Sequence, residues 1–460
     1  MRGTIFNALA VGAVLIGVGL WAQRPEALGQ SGGGGGYGSE AGLREAVNDH
    51  GVRTRPVTGA EKLDEAGRAE LRRKVSETLA AAERAVGERD LARADALLRV
   101  VLRAEPEHGR AAAMLRAMYE GFGAKLPVDE AALEAARGAL GREYALYESR
   151  HFAVLSNCDR EWTQQRMNLL EATYKEFMRT MERIGLEPIP PRHKLVCILI
   201  EEHGEYEWFA RTYDRVKAPW VAGYYATLPN HVVMYDDATG PSFAGVERQL
   251  ERLAVQLEET ERLLAEAQRR RDGETAALLD ERASAIELHA AAERRRVERL
   301  VREASDRKAV HEATHLVAFN TNIQLRSRQY PFWITEGIAT NFETTDYRSR
   351  FGPTEQSEHR RASFERYREA GSLLPLSELV VLNEISEVSA ERADVIYAQT
   401  YAFFKYAYRY HREELAGYLR ALRDEPAGEI GAARHLEMFT ERFGEPGLVE
   451  RVWLRRERGS

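Results

Sequence analysis

An α+β, helix-rich fold is what this sequence predicts, and three observations carry the reading. Residues 151–157 and 194–201 are strand-like runs on either side of a long amphipathic stretch, a strand–helix–strand order that begins an α/β layer. Residues 222–227 and 231–236 face each other across Leu228-Pro229-Asn230 as a hairpin. Nearly everything else repeats its apolar residues at helical spacing.

The chain of 460 residues is long enough for two to four domains and a sizeable core. Its net charge of −7 is mild and spread over both signs, which argues against nucleic acid as the main partner. Arg2 followed by an apolar run to about Trp21 reads as a secretory signal or an uncleaved anchor over residues 1–29, so the expected location is extracytoplasmic: secreted, periplasmic or anchored. Residues 30–58, with glycines from Gly32 to Gly36, read as a linker without a core. An exported chain permits a disulfide between Cys158 and Cys197; two buried free thiols are the other reading.

Residues 59–145 are helical, and within them residues 74–108 resemble one tetratricopeptide-type repeat. Ala94, Leu98, Val101 and Pro106 fall at its small, large, small and proline positions. Arrays need about three such units to stand alone, so this segment is expected to pack against the remainder of the chain. A further helix is expected over residues 129–148, after the start signal Pro127-Val128-Asp129. The amphipathic stretch from 160 to 184 ends at Gly185, as a helix does, and 208–220 reads as helix and loop.

Residues 246–309 have their own character. Leu250, Leu253, Leu257, Thr260, Leu264 and Ala267 step by three and four, and after Asp272-Gly273 the stepping resumes at Leu279, Ala283 and Ile286. This is the pattern of an antiparallel coiled-coil hairpin, its return arm running towards the next motif. The arm is open to a protein partner; His289 on it reads as a solvated helix residue.

That motif is His311-Glu312-Ala313-Thr314-His315. Residues four apart share a helix face, so both imidazoles can address one ion, with Glu312 beside them to take a proton from water held there. A catalytic zinc wants three protein ligands and one open position. Glu336, in the run from Trp333 to Ala339, opens another apolar helix and is the candidate third ligand. Glu343, two turns on, either orients a ligand by a hydrogen bond or lies exposed; exposure is the commoner outcome for such a residue. Residues 345–375 read as irregular and charged with a helix near 357–370, and 374–382 as a packed loop or short helix. An aromatic helix opens with residues 395–401 and runs to about Tyr410, two more helices lie near 413–423 and 431–443, and the chain ends at Trp453 and a loose basic terminus.

The two motifs together resemble the gluzincin zinc metallopeptidases, specifically the peptidase-MA-like group with its domains of unknown function. The resemblance spans about residues 145–455, a catalytic domain over 146–455 interrupted by the 246–309 hairpin. It implies Zn2+ held by His311, His315 and Glu336, Glu312 as catalytic base, and a small mixed sheet whose edge strand borders the cleft. There an extended peptide would add as a strand, with Gly223 allowing close approach; an ordinary hairpin explains Gly223 equally well. A tyrosine about sixty residues past the glutamate ligand helps hold the oxyanion in related peptidases. Tyr397 fits that spacing and Tyr401 lies one turn on, although an aromatic helix is first of all core. The implied activity is peptide hydrolysis by Glu-assisted attack of zinc-bound water on a peptide or protein substrate. The rival reading is a non-catalytic, zinc-containing envelope scaffold that binds partners through its tetratricopeptide-like and hairpin helices.

Overall fold

The structure, a computed structural model, describes residues 65–458 apart from 142, 217–221, 242 and 386–387. The expected signal or anchor and the glycine-rich linker lie outside the described residues. Among the described residues no helix is long and apolar enough to cross a membrane.

Three helices come first: α1 (Glu65–Gly87), α2 (Leu91–Ala104) and α3 (Gly109–Glu120). Asp90 and His108 start the second and third by accepting from backbone N–H groups of the first turn. Their apolar faces close on one another through Ala82, Leu98, Val101 and Leu115. Polar groups fasten them to the rest: the Arg99 guanidinium donates to the carbonyls of Pro190 and Pro191, and Arg116 to that of Pro188.

The helix expected over 129–148 is shorter than that, and its second half is a strand. α4 (Glu130–Leu140) stops at Gly141, whose φ of 95° suits glycine, and β1 (Ala145–Glu148) comes after it. Four residues with mixed exposure carry too little alternation to announce a strand; pairing with a neighbour makes it one.

β2 (Phe152–Ser156), α5 (Arg160–Arg183), β3 (Leu195–Ile200) and α6 (His203–Thr212) come next, then the hairpin β4 (Gly223–Ala226) and β5 (His231–Tyr235). The α6 helix begins five residues before the run read as helical. Strand order is β1-β2-β3-β5-β4. β2, β3 and β5 are parallel and every residue in them is buried, which is why they read as unbroken apolar runs. Both edge strands are antiparallel. One face, with Ala153, Ile198 and Val233, packs on α4 and α6; the other, with Val154, Leu199 and Met234, packs on the main helical layer.

That layer begins with a helical hairpin, α7 (Ala244–Arg270) and α8 (Gly273–Asn320). Arg271 in the left-handed region and Asp272 capping Thr275 make the turn. α8 has 48 residues and runs unbroken from the hairpin tip through the histidine motif. At 1.5 Å per residue it is about 70 Å long. His289 is exposed on its outer part.

After it come α9 (Phe332–Phe342), α10 (Glu358–Glu369), the short α11 (Leu376–Leu379), α12 (Ala390–Tyr410), α13 (Arg412–Asp424), α14 (Ala432–Phe443) and α15 (Pro446–Glu457). Two expectations change here. The aromatic helix starts at Ala390, where Ser389 caps Arg392. The basic terminus after Trp453, expected to be loose, continues as helix to Glu457 in α15, and Trp453 is fully buried against Phe364 and Phe403.

Candidate metal centre

Helical spacing and one interhelical crossing build the site. His311 and His315 are one turn apart on α8, in the part of that helix buried against the sheet and α5. α9 crosses below them. Glu336 is partly buried and meets the two histidines, while Trp333, Ile334 and Gly337 are buried. Gly337 is required by the crossing: a Cβ there would lie 2.8 Å from the Cβ of Phe404 on α12.

The three expected ligands converge. His311 Nε2 is 3.2 Å from His315 Nε2 and 3.1 Å from Glu336 Oε2, and His315 Nε2 is 3.5 Å from Glu336 Oε1. Among the described residues these three form the group that could hold a metal, with donor atoms within 4.8 Å of one another. A tetrahedral ion with bonds of about 2.0–2.1 Å needs ligand atoms about 3.3 Å apart, and these spacings match that edge. Two imidazole nitrogens at 3.2 Å repel unless a proton or a cation lies between them. The residues present therefore fit a zinc ion.

Charge around the site is shaped by burial. Burial lowers the affinity of His311 for a proton, but hydrogen bonds to Glu336 and Glu343 outweigh it and raise its pKa to about 10. His315 goes the other way, to about 4: burial dominates, Glu336 opposes, and His311 adds to the fall. Of the two imidazoles, His311 is the one whose surroundings favour the protonated form. Burial pushes the Glu312 carboxyl up to about 7, with His311 and Lys308 opposing and Glu336 assisting. A carboxylate with that pKa is poised to take and return a proton near neutrality.

Glu343 is not exposed. It sits just past the end of α9, accepts from His311 Nδ1 at 2.9 Å, and pairs with the buried Arg360 of α10. Burial of its carboxyl is outweighed by Arg360 and His311, which hold it at about 2. A donor–acceptor pair at Nδ1 leaves Nε2 facing the convergence point, which is how ligating histidines are oriented. Arg360 itself carries no signal in the sequence; it is one arginine among several on a charged helix.

Tyr397 packs edge-on against Phe332, and the Arg360 guanidinium lies 5.9 Å from its ring centroid. Burial, then the charge of Glu336, raises its pKa well above the ordinary phenol value, while Arg360 opposes. It stands beside the site as a neutral hydroxyl. Tyr401 is committed elsewhere, its oxygen accepting from the Ser357 N–H. Gln399, two residues past Tyr397, is buried and bonds both backbone groups of Leu374.

Gly223 has a packing reason. A Cβ there would lie 3.2 Å from Lys308 Cγ and Cδ on α8 and from Met234 Cγ. The glycine brings the edge strand β4 up to α8. Cys158 and Cys197 are both buried and free.

A family model described as a protein of unknown function (DUF1570) matches residues 308–427. That span takes in His311, Glu312, His315, Glu336, Glu343, Arg360 and Tyr397. No curated protein matches the chain.

Proposed function

We propose that the chain is an extracytoplasmic zinc-dependent metallopeptidase of the gluzincin type, acting on a peptide or protein substrate. One observation carries the reading: two imidazole nitrogens and a carboxylate from two helices meet at tetrahedral-edge spacing, with Glu312 on the turn between the histidines. His311, His315 and Glu336 would hold the ion. Zinc, when bound, polarises a carbonyl and makes water acidic enough to lose a proton near neutrality.

The chain's own residues supply the rest. Glu312 accepts the proton of the attacking water and returns it to the leaving amine, work that its raised pKa suits. Glu343 keeps the His311 ring in one orientation. Tyr397, neutral and half-buried near Glu336, would donate its hydroxyl proton in a hydrogen bond to the oxyanion of the tetrahedral intermediate. The edge strand β4 offers its outer backbone groups to an extended substrate. The N-terminal segment carries the location: cleaved, it releases the protein; retained, it anchors it.

Glu312→Gln is the test. The variant is expected to keep about one zinc per chain by elemental analysis, because Glu312 is not a ligand. Its cleavage of a peptide library is expected to fall by about 10²–10⁴-fold, the contribution of a general base. A wild-type protein that retains no divalent metal, or a Glu312→Gln variant that cleaves as fast as wild type, ends this reading.

A further inference from the structure

We propose that Arg360 is a positioning residue of the metal centre, orienting His311 through Glu343; this rests on the reading of the site as a zinc centre. The guanidinium holds both oxygens of the carboxylate. Nε donates to Oε2 at 2.8 Å and Nη2 to Oε1 at 2.5 Å. A two-pronged pair of this kind fixes the rotation of a carboxylate as well as its place. The same Oε1 accepts from His311 Nδ1 at 2.9 Å. The direction of the His311 ring, and so of its Nε2, is therefore set by a side chain from a helix that supplies none of the three ligands.

Glu343 needs that support. The helix carrying Glu336 has ended, and residue 343 has left helical geometry, with φ −49° and ψ 128°. No helical turn constrains its side chain. α10, by contrast, is firmly seated: its N-cap Ser357 donates its N–H to the Tyr401 hydroxyl of α12, and Phe364 is fully buried. The side chains of Arg360 and Glu343 are 9% and 6% exposed, so losing Glu343 would leave the guanidinium a buried charge without its ion pair, and losing Arg360 would leave the carboxylate with His311 as its remaining charged partner. Arg360 also lies against the Tyr397 ring, which places one guanidinium behind both a metal ligand and the candidate oxyanion donor.

Zinc affinity, measured by chelator competition on the full chain, tests this without recourse to cleavage. The proteins are wild type, Arg360→Lys, Arg360→Gln, Glu343→Gln and the double variant, each checked for fold by circular dichroism. Arg360→Gln and Glu343→Gln are each expected to weaken zinc binding about tenfold or more, as loss of a ligand's hydrogen-bond partner does. Arg360→Lys falls between, since an ammonium cannot hold both oxygens. The double variant is expected to bind no more weakly than Glu343→Gln alone, because the arginine acts through the glutamate. A folded Arg360→Gln protein with wild-type affinity overturns the proposal, and so does a double variant whose losses multiply. Should Arg360→Gln not fold, the lysine variant decides: weakened binding upholds the proposal and unchanged affinity overturns it. A wild-type protein that binds no zinc fails the zinc-centre reading instead, and is distinct from every outcome that concerns Arg360.

Discussion

Burial without a counter-charge sets the chemistry of both thiols. Cys197 lies in the central strand β3, fully buried, and burial alone pushes its pKa far up. Cys158 lies just past β2; burial raises it to about 12, with a hydrogen bond from Ser156 opposing. A thiol reagent attacks the thiolate, so neither is expected to react in the native protein, and two are expected to react once it is denatured without reductant. Two fast thiols in the native protein, or none after denaturation, would contradict this; the second result would reveal a disulfide. The same dependence on surroundings explains what single residues disclosed in advance. His311, His315 and Glu312 could be read because four-residue spacing on a helix fixes their relation without help from the rest of the chain. Glu343 was legible as one of two alternatives, two turns past Glu336, with exposure the commoner expectation. Arg360 could not be read, since 17 residues and an irregular turn separate it from Glu343 and neither spacing nor residue type links them. Tyr397 came from the resemblance, and the geometry that puts it beside Glu336 lies in the packing of α12 on α9.

At the scale of elements, the parallel strands and the long helices were plain because their patterns run over many residues. β1 and α15 were not. The first is four residues long and exists by pairing with β2; the second hides behind exposed apolar and basic residues, and Trp453 is its fully buried anchor. The crossing of α9 over α12 was half legible. A glycine after Glu336 was visible, while its reason, the approach of Phe404, required the fold. Gly337→Ala is therefore expected to destabilise the protein by about 1–3 kcal/mol, the usual cost of an added methyl in a packed contact. α9 must shift to admit it, and Glu336 shifts with α9, so zinc affinity is expected to fall together with the thermal midpoint. An alanine variant with unchanged midpoint and zinc affinity would show that the crossing tolerates a Cβ and that the glycine is there for another reason.

Across the whole molecule, the long helix α8 links two regions of very different burial. From Ser305 onward it is core: Asp306 pairs with Arg166 at 2.5 Å, Lys308 with Asp237 at 2.7 Å, and Ser305 also bonds Asp237. These contacts clamp the helix where it enters the domain, one to two turns before His311. Outward of the clamp the hairpin buries little, chiefly Thr260, Ala267 and Ala283, and leaves Val255, Leu278 and Leu288 exposed. A thin arm of this kind adds few buried groups to the fold that holds the site. Replacing residues 257–286 with a short Gly-Ser turn should then leave zinc stoichiometry unchanged. The thermal midpoint is expected to move by only a few degrees, since about 1 kcal/mol corresponds to about 2–4 °C in a domain of about 150–250 residues and to less in a larger one. Loss of zinc or a drop beyond about 10 °C would mean the arm is part of the structural core. With the site intact, the truncated protein separates the two functional readings. If the arm exists to hold a partner, partner capture is lost while cleavage of short peptides persists. If the protein is a scaffold only, there is no cleavage to persist, and the truncation removes the one activity it has.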